Sequence, residues 1–443
     1  MSKVMDLYNA IKEQPCSCGK VHHTSVDRIV IGAGALQQVP QIVKEYGVVR
    51  PFVVCDGNTW KAAGERLMQL LQEAEIEAVP FVFPMERIEP DEDGVGSAVM
   101  HFDHRCDMVI GVGSGVVNDI SKILSGTAGV PYMIVGTAPS MDGFASATSS
   151  VARDGLKISL PSKCANVIVG DLDILKNAPQ RLLQAGLGDM LAKYVSICEW
   201  RIAHELVGEP YCEKIAELVR ASLECCMEHA DGLLKREEEA VQAVFEGLVV
   251  CGAAMEFAGL SRPASGVEHY FSHLWDMRGL EFGTHIDYHG IQCAVGTVLA
   301  LRLYEQIRQT VPNREKARAY ARSFDFEAWS QQLRDLLGNG AEAMIRQEAK
   351  EKKYDVGKHE ERLEQIIAKW DVLTGIMNEE LPTAANIEAL LRKIGAPVTA
   401  GEMGMEEELL PLCFKATKDI RDKYVLSRLA WDLGMLDEMA ESL

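Results

Sequence analysis

Short apolar runs and longer amphipathic segments alternate along the chain from about residue 27 to residue 171. The runs are almost continuous in apolar residues, which is typical of strands buried on both faces of a parallel sheet. The segments between them, such as residues 59–76 and 116–129, have the period of helices. This alternation predicts an α/β domain with helices on both faces of a parallel sheet. The predicted strands are RIVIG (28–32), PFVVCD (51–56), AVPFVFP (78–84), CDMVIGVG (106–113), VPYMIVGT (130–137) and ANVIVGD (165–171).

Residues 146–161, SATSSVARDGLKISLP, depart from this scheme. Two stretches of alternating apolar and polar residues flank Arg153, Asp154 and Gly155, and the last two are residues that favour tight turns. The pattern predicts a β-hairpin inserted into the α/β domain.

Beyond about residue 173 the strand-like runs disappear and long helical patterns continue to the end of the chain. We therefore predict a second, all-helical domain that is joined to the first near residues 172–180. Residues 312–369 are highly charged, and such a segment is typical of a solvated helical hairpin or insertion.

The chain has 443 residues and a formal net charge of −20. Nucleic acids and anionic membranes bind basic surfaces, so this charge argues against both as main partners. The N-terminal residues lack the apolar core of a signal peptide, and no stretch approaches the ~18 uninterrupted apolar residues of a membrane span. Twelve scattered cysteines fit reduced thiols. These features predict a cytoplasmic enzyme.

Four residues with metal-ligand chemistry lie close together near the N-terminus: Cys16, Cys18, His22 and His23. They could hold zinc. However, the Cys-x-Cys spacing is tighter than that of the usual structural zinc site, and no second cysteine pair lies nearby in the sequence. The spacing favours a capped turn over a metal site.

The segment CDMVIGVGSGVVNDISK has the form of a strand, a glycine loop and a helix. Gly111, Gly113 and Gly115 allow a pyrophosphate to approach the backbone amides at the start of the helix. The motif departs from G-x-G-x-x-G because Val116 stands at the position of the last glycine. Asp56 and the loop at residues 135–146 also follow strands, and ligands of such folds bind at the carboxyl ends of strands. Acidic residues at these positions are equally typical of turns.

Residues 261–290 contain a dense group of histidine and acidic residues. His269 and His273 are four residues apart and therefore share one face of a helix. His289 opens a separate apolar run that has the pattern of another helix. Two histidines from different elements and one carboxylate are the ligands of many catalytic metal sites, although a solvated helix face has the same spacing.

A candidate for the third ligand lies in GLGDMLAKY, residues 186–194. We expect Asp189 to follow a Gly-x-Gly turn and to open the first helix of the second domain. This position suits a metal ligand in a cleft between domains, and it equally suits a helix cap.

Taken together, the chain resembles the iron-containing alcohol dehydrogenase and dehydroquinate synthase superfamily, and within it the branch that acts on glycerol 1-phosphate. The resemblance covers roughly residues 25–300 and rests on GVGSGVVNDISK, TAPSMDGFAS, GLGDMLAKY, SRPASGVEHYFSH and HGIQCAVGT, in that order. It implies a Rossmann-like domain (1–175) and a helical metal- and substrate-binding domain (176–443). It also implies NAD(H) or NADP(H), one divalent ion (nickel or zinc, with iron possible) and a homodimer.

The resemblance further implies a set of site residues. The metal ligands would be Asp189, His269 and His289, with His285 as a competitor for the third position. His273 would serve substrate binding or proton relay, and Asp142 would touch the substrate hydroxyl. The residues implied in dinucleotide binding are Asp56, Gly113, Ser114, Gly115, Val116, Val117, Asn118, Asp119, Thr137, Ala138, Pro139, Ser140 and Ser146.

The implied activity is the reversible reduction of dihydroxyacetone phosphate to sn-glycerol 1-phosphate. Arg262 is the basic residue beside the predicted metal site, and we expect it to bind the substrate phosphate through a bidentate pair. Two rivals within the superfamily are a polyol oxidoreductase resembling glycerol dehydrogenase and a phosphate lyase resembling dehydroquinate synthase. A third is a nucleotide-binding protein without catalysis.

Overall fold

The computed structural model of the protein describes residues 2–85, 88–153 and 156–443. It contains a six-stranded sheet in which every pair of neighbouring strands is parallel. The order across the sheet is β1-β8-β5-β4-β2-β3. Each predicted strand is confirmed. The six strands are β1 (Arg28–Gly32), β2 (Pro51–Cys55), β3 (Val79–Val82), β4 (Met108–Gly113), β5 (Tyr132–Gly136) and β8 (Val167–Asp171).

Burial along the strands explains why their sequences lack alternation. Every residue of the four inner strands β2, β4, β5 and β8 is buried, whereas the edge strands β1 and β3 are partly exposed. Inner strands of a parallel sheet are covered by helices on both faces. The sheet order also sets the carboxyl ends of β2, β4 and β5 side by side, so the three polar loops noted in the sequence follow neighbouring strands.

The predicted hairpin is also confirmed. Strands β6 (Thr148–Arg153) and β7 (Leu156–Pro161) form a separate antiparallel pair, in which Thr148 lies opposite Pro161. Of the three predicted turn residues, Arg153 ends β6, and Asp154 and Gly155 lie outside the described residues.

α-Helices connect the strands of the sheet and predominate beyond β8. They are α1 (Lys3–Ile11), α2 (Val39–Glu45), α3 (Gly57–Thr59), α4 (Glu65–Glu73), α5 (Glu92–His101), α6 (Gly115–Ala128), α7 (Leu172–Leu175), α8 (Gln180–Leu191), α9 (Lys193–Val207), α10 (Glu213–His229), α11 (Glu238–Ala258), α12 (Val267–Phe282), α13 (His289–Ile307), α14 (Arg314–Ser323), α15 (Phe326–Leu337), α16 (Ala341–Glu351), α17 (Val356–Ala368), α18 (Trp370–Glu380), α19 (Ala384–Lys393), α20 (Leu410–Thr417), α21 (Leu426–Asp432) and α22 (Leu436–Glu441).

The chain divides into two compact units, and their limits differ from the boundary expected at residue 175. The first unit comprises Met1–Met190 and Lys214–Leu260, and the second comprises Leu191–Glu213 and Ser261–Leu443. Helix α11 belongs to the first unit because its Phe245 ring packs on the sheet. A Cβ added at Gly136 or Gly170 would lie only 2.8 Å or 2.3 Å from that ring. The division of the chain into functional domains at residue 175 stays a prediction.

Helix α11 is long and apolar enough to cross a membrane by length and composition alone. Within the structure, 83% of its apolar window is buried. Its apolar residues therefore form part of the protein core, as Phe245 illustrates.

The charged segment at residues 312–369 is more than the solvated hairpin that its composition predicts. It forms four helices, α14 to α17. Exposed ion pairs join α14 to α17, among them Arg314 with Glu364. In the same segment Glu348 and His359 are buried, and the His359 ring lies 2.9 Å from the Asp432 carbonyl oxygen. The segment thus carries a packed interior face, which only its long-range partners reveal.

Candidate active site

The glycine loop joins β4 to α6 in the first unit. Gly113 ends the strand, and a Cβ at this position would lie 2.5 Å from the Cβ of Val117, so only glycine allows the helix to start this close to the strand. Ser114 is the N-cap of α6 but makes no capping bond with its side chain. The first amide groups of α6 consequently form a helix N-terminus at the carboxyl edge of the sheet, which suits an anionic group.

The loop after β5 lies against the start of α6. Thr137 donates its amide hydrogen to the Gly113 carbonyl oxygen at 3.0 Å, and the hydroxyl groups of Ser114 and Ser140 are hydrogen-bonded. Asn118 and Lys122 both donate to the carbonyl oxygen of Gly143 farther along the loop.

The polar residues implied for the cofactor in this loop, Thr137, Ser140 and Ser146, are all buried. Hydrogen bonds therefore connect this loop to the glycine loop within the first unit.

Two further members of the implied cofactor set have local partners. Asp56 caps α3, since its Oδ1 accepts hydrogen bonds from Asn58 and Thr59 amides at 2.7 Å and 2.8 Å. The pKa of the Asp119 carboxyl group is raised, mainly by burial, although the positive charge of Lys122 acts in the opposite direction. Asp56 therefore has the turn-forming role that its sequence allowed, and a contact with the cofactor stays a prediction.

Asp189 is completely buried in the first unit. Its Oδ2 accepts a hydrogen bond from the Asp142 amide at 2.8 Å. The expectation that Asp189 opens a helix is wrong, because Gly186 and Gly188 do not form a turn and Asp189 lies near the end of α8. Gly186 is required for a different reason: a Cβ there would lie 1.8 Å from the Pro139 carbonyl oxygen, so α8 packs directly on the loop after β5.

His269 lies on α12 in the second unit and is buried. Its Nδ1 is 2.8 Å from Glu268 Oε1, which also accepts the Gly266 amide hydrogen at 2.7 Å. A carboxylate beside Nδ1 holds the proton on that nitrogen and leaves Nε2 as an unprotonated donor for a metal. The acidic residue next to the histidine thus orients the ring.

A second carboxylate, Glu199, lies in the same fully buried region. Its oxygens accept hydrogen bonds from the amides of Val267 and Leu426 at 3.0 Å and 2.8 Å. Burial, together with the neighbouring charge of Glu268, raises the pKa of Glu199 to about 8. Glu199 therefore keeps its proton at neutral pH.

His289 is the first residue of α13, as predicted. Its Nδ1 lies 3.0 Å from Ser272 Oγ, and the Ser272 hydroxyl donates to Gln292 Oε1 at 2.9 Å. Since the serine proton is committed to Gln292, the serine oxygen accepts a hydrogen from His289 Nδ1. Nε2 of His289 is therefore also the unprotonated nitrogen. Gln292 is held in turn by hydrogen bonds from its amide to Asp276 and to the Asp287 carbonyl.

The two imidazoles are packed edge to face, with ring centroids 5.0 Å apart and an angle of 61° between the ring planes. Cys293 completes this group, since donor atoms of the three residues lie within 4.8 Å of one another. Burial would raise the pKa of the Cys293 thiol, but hydrogen bonds with His269 and His289, and the charge of these rings when they are protonated, lower it. The sequence reasoning missed Cys293, although its position four residues after His289 places both on one helix face.

The other residues expected in the site have different surroundings. His273 is half-buried on α12, with its ring centroid 6.3 Å from that of His289. His285, the competitor ligand, instead lies beside Gly404 in a small cavity.

The expected role of Arg262 in binding the substrate phosphate is contradicted by its contacts. Its guanidinium group is fully buried and already holds Glu209 through Nε and Nη2, at 2.8 Å and 2.6 Å. It also donates to the Tyr424 carbonyl oxygen at 3.0 Å. An arginine whose bidentate face holds a carboxylate is a structural ion pair.

The donor set in the second unit is chemically suited to a divalent transition metal. Two imidazoles with their Nδ1 protons bound to protein acceptors match the ligand arrangement of zinc, nickel and iron sites. His269 is buried and His289 is half-buried.

Comparisons with known proteins agree with this chemistry. A family model for iron-containing alcohol dehydrogenases matches residues 30–179. A glycerol-1-phosphate dehydrogenase [NAD(P)+] from Halalkalibacterium halodurans is 29% identical over 415 residues, which are 93% of this chain and 94% of that protein. The protein of the same name from Bacillus subtilis is 33% identical over 287 residues, or 64% of this chain and 73% of that protein.

The fold is shared with solved structures as well. A glycerol dehydrogenase from Schizosaccharomyces pombe superimposes with a TM-score of 0.61 at 17% identity, covering 94% of this chain and 90% of that chain. At this identity the likeness concerns the fold alone. With the sequence relatives, it leads to one conclusion: the chain belongs to the glycerol-1-phosphate dehydrogenase family of metal-dependent, NAD(P)-linked oxidoreductases.

Proposed function

We propose that this protein reversibly reduces dihydroxyacetone phosphate to sn-glycerol 1-phosphate with NADH or NADPH. The observation that carries the proposal is a pair of imidazoles, the buried His269 and the half-buried His289, whose Nδ1 protons are both held by protein acceptors. Both the relative from Halalkalibacterium halodurans and that from Bacillus subtilis carry the corresponding name, which supports this substrate over an unphosphorylated polyol.

The metal ligands in this proposal are Asp189, His269 and His289. Asp189 supports the assignment because it is a fully buried carboxylate with one oxygen held by the Asp142 amide. We propose nickel or zinc as the ion, with iron as the next candidate, since all three accept two imidazoles and a carboxylate. When bound, the ion supplies Lewis-acid polarisation of the substrate carbonyl, and the nicotinamide supplies the hydride.

The dinucleotide in this proposal lies along the carboxyl ends of β2, β4 and β5. The amide groups at the start of α6 bind its pyrophosphate. This is supported by Ser114, the N-cap of α6, whose side chain makes no hydrogen bond to these amides. The buried hydroxyls of Thr137, Ser140 and Ser146 orient the rest of the cofactor. The remaining cofactor residues are those implied by the family: Asp56, Gly113, Gly115, Val116, Val117, Asn118, Asp119, Ala138 and Pro139.

Proton transfer and substrate positioning are assigned to three residues. His273 holds the proton for the product hydroxyl at a ring nitrogen, and its partial exposure supports exchange of that proton with solvent. Asp142 and Asp189 position the substrate. The hydrogen bond between the Asp142 amide and Asp189 supports a coordinated placement of these two residues.

The larger organisation is proposed on the same basis. Residues 1–175 form the dinucleotide-binding domain and residues 176–443 the metal- and substrate-binding domain. A homodimer and a cytoplasmic location complete the proposal, and the twelve cysteines, all present as thiols, fit a reducing compartment.

The test begins with protein from which a chelator has removed the metal. Nickel, zinc or iron is then added in separate reactions, and NADH oxidation is measured with dihydroxyacetone phosphate as substrate. We expect turnover with at least one ion, and sn-glycerol 1-phosphate on chiral analysis of the product. Equal or faster turnover of unphosphorylated dihydroxyacetone would overturn the phosphate substrate. Product formation without net NADH consumption would point to a lyase instead.

A further inference from the structure

A second group of metal-ligand side chains lies in the first unit, near the N-terminus. Cys16, Cys18 and His22 have donor atoms within 4.8 Å of one another. His23, the fourth residue of the sequence cluster, is excluded because its exposed ring binds Glu13 at 2.6 Å. The group has no part in the proposed reaction.

The backbone explains how so tight a Cys-x-Cys spacing produces a cluster. The Cys16 amide donates to the Lys20 carbonyl oxygen, and the Gly19 amide donates to the Cys16 carbonyl oxygen, both at 2.9 Å. Gly19 has φ +83°, which favours glycine. The chain therefore reverses within this turn, and β-bridges between Pro15 and Val21 and between residues 12 and 22 hold the returning segment. The third donor comes from that segment, so no second cysteine pair is needed.

His22 is oriented as metal-binding histidines are. It is 2% exposed, and its Nδ1 lies 3.0 Å from the Phe257 carbonyl oxygen on α11. A carbonyl oxygen can only accept, so Nδ1 carries the proton and Nε2 is the unprotonated nitrogen. Nε2 lies 3.3 Å from Cys18 Sγ. A histidine whose Nδ1 is fixed by a backbone carbonyl while Nε2 faces thiols matches the outer-shell pattern of structural zinc sites.

We propose that Cys16, Cys18 and His22 bind a second, structural divalent ion of the zinc class. Binding replaces the two thiol protons, which are released to solvent, so that two thiolates balance the charge of the ion. Soft thiolate and imidazole ligands select zinc over magnesium or calcium. A fourth ligand, either water or a further side chain, completes the tetrahedron.

The role of this ion is to anchor the N-terminal segment to α11. Phe257 already stacks on Tyr8 of α1 with centroids 5.6 Å apart, and Glu256 accepts hydrogen bonds from Thr24 and Ser25. The ion would join the turn to the same end of α11 through His22. It therefore stabilises the segment that leads into β1, and the proposal stands independently of the catalytic reaction.

Zinc content of the intact, purified protein tests the proposal after dialysis against buffered zinc. We expect the unaltered protein to bind about one zinc ion per chain more than Cys16→Ser or Cys18→Ser, whichever ion occupies the catalytic site. Cys225→Ser is the matched control, since this half-buried cysteine lies on α10 and outside the cluster; it should keep the zinc content of the unaltered protein. An unchanged zinc content in Cys16→Ser and Cys18→Ser would overturn the proposal.

A second measurement needs no variant and therefore remains decisive if a substitution prevents folding. Zinc should slow alkylation of Cys16 and Cys18 by iodoacetamide about tenfold or more, because a metal-bound thiolate is shielded from the reagent. Chelation should restore the rate, and mass mapping should show that Cys225 is unaffected. Alkylation of Cys16 and Cys18 at the same rate with and without zinc would overturn the proposal.

Discussion

The most informative perturbation of the proposed catalytic site is Ser272→Ala, because Ser272 contacts a proposed ligand without being one. Its oxygen accepts the His289 Nδ1 hydrogen at 3.0 Å, and its own hydrogen is donated to Gln292 Oε1 at 2.9 Å. Alanine removes both bonds. The proton of His289 is then no longer held on Nδ1, and the ring is free to turn or to change tautomer.

The expected magnitude follows from these two bonds. Loss of an outer-shell partner weakens metal binding about 10–100-fold, or about 1.4–2.7 kcal/mol. A separate cost falls on folding, because Gln292 is fully buried and its Oε1 loses the donated hydrogen. An unsatisfied buried acceptor lowers the free energy of unfolding of the metal-free protein by about 1–3 kcal/mol.

Competition with a chelator of known affinity measures the first quantity, and urea titration of the metal-free protein measures the second. Ser222→Ala is the matched control. Ser222 is also a fully buried helical serine, but its hydroxyl donates to the Leu218 carbonyl oxygen of its own helix at 2.9 Å. Two results would refute the assignment of His289 as an oriented ligand. One is a metal affinity of folded Ser272→Ala within twofold of that of the unaltered protein, and the other is an equal loss of metal affinity in Ser222→Ala.

Three other substitutions test the packing and electrostatics around the site. Gly186→Ala should lower the free energy of unfolding by about 3 kcal/mol or more in urea titration, because its Cβ would lie 1.8 Å from the Pro139 carbonyl oxygen. Arg262→Leu should lower it by about 2–3 kcal/mol, since Glu209 loses its bidentate partner but stays partly solvated. Glu199→Gln should flatten the pH dependence of stability. The folded protein keeps the Glu199 proton up to about pH 8, whereas the unfolded chain loses it near the ordinary pKa of 4.5. The free energy of unfolding of the unaltered protein therefore decreases as the pH rises from 4.5 to 8, by up to about 1.4 kcal/mol per pH unit.

Each of these three has a control and a contradicting result. Gly126→Ala, in α6, places a Cβ 3.7 Å from its nearest neighbour, Lys163, and should be neutral or slightly stabilising. An equally mild Gly186→Ala would refute the contact. Arg262→Lys keeps the charge without the bidentate geometry and should lose less stability than Arg262→Leu. A normal stability of Arg262→Leu with a raised Michaelis constant for dihydroxyacetone phosphate would restore the phosphate-binding role. For Glu199, the free energy of unfolding is compared between the metal-free Glu199→Gln variant and the metal-free unaltered protein. The same dependence on pH in both proteins between about pH 5 and pH 8 would refute the raised pKa.

The fold class and the histidine positions could be predicted because their signals are local. Continuous apolar runs specify inner strands wherever helices cover both faces, and β2, β4, β5 and β8 were placed on that pattern alone. The positions of His269 on one helix and His289 at the start of another also follow from short-range periodicity and an apolar run.

The partners of the polar groups were decided by contacts between distant parts of the chain. Arg262 is the clearest case. It is a candidate for phosphate binding in the sequence, but in the structure Glu209 and Tyr424, both distant in the sequence, bind its guanidinium group. Gly186 was expected in a turn but lies inside α8, where the close approach of the Pro139 carbonyl oxygen requires glycine. The hydrogen-bonded orientation of His289 depends on a serine from another helix. Local periodicity specifies which face of an element is buried, whereas the identity of a hydrogen-bonding or charged partner depends on which distant side chain packs there.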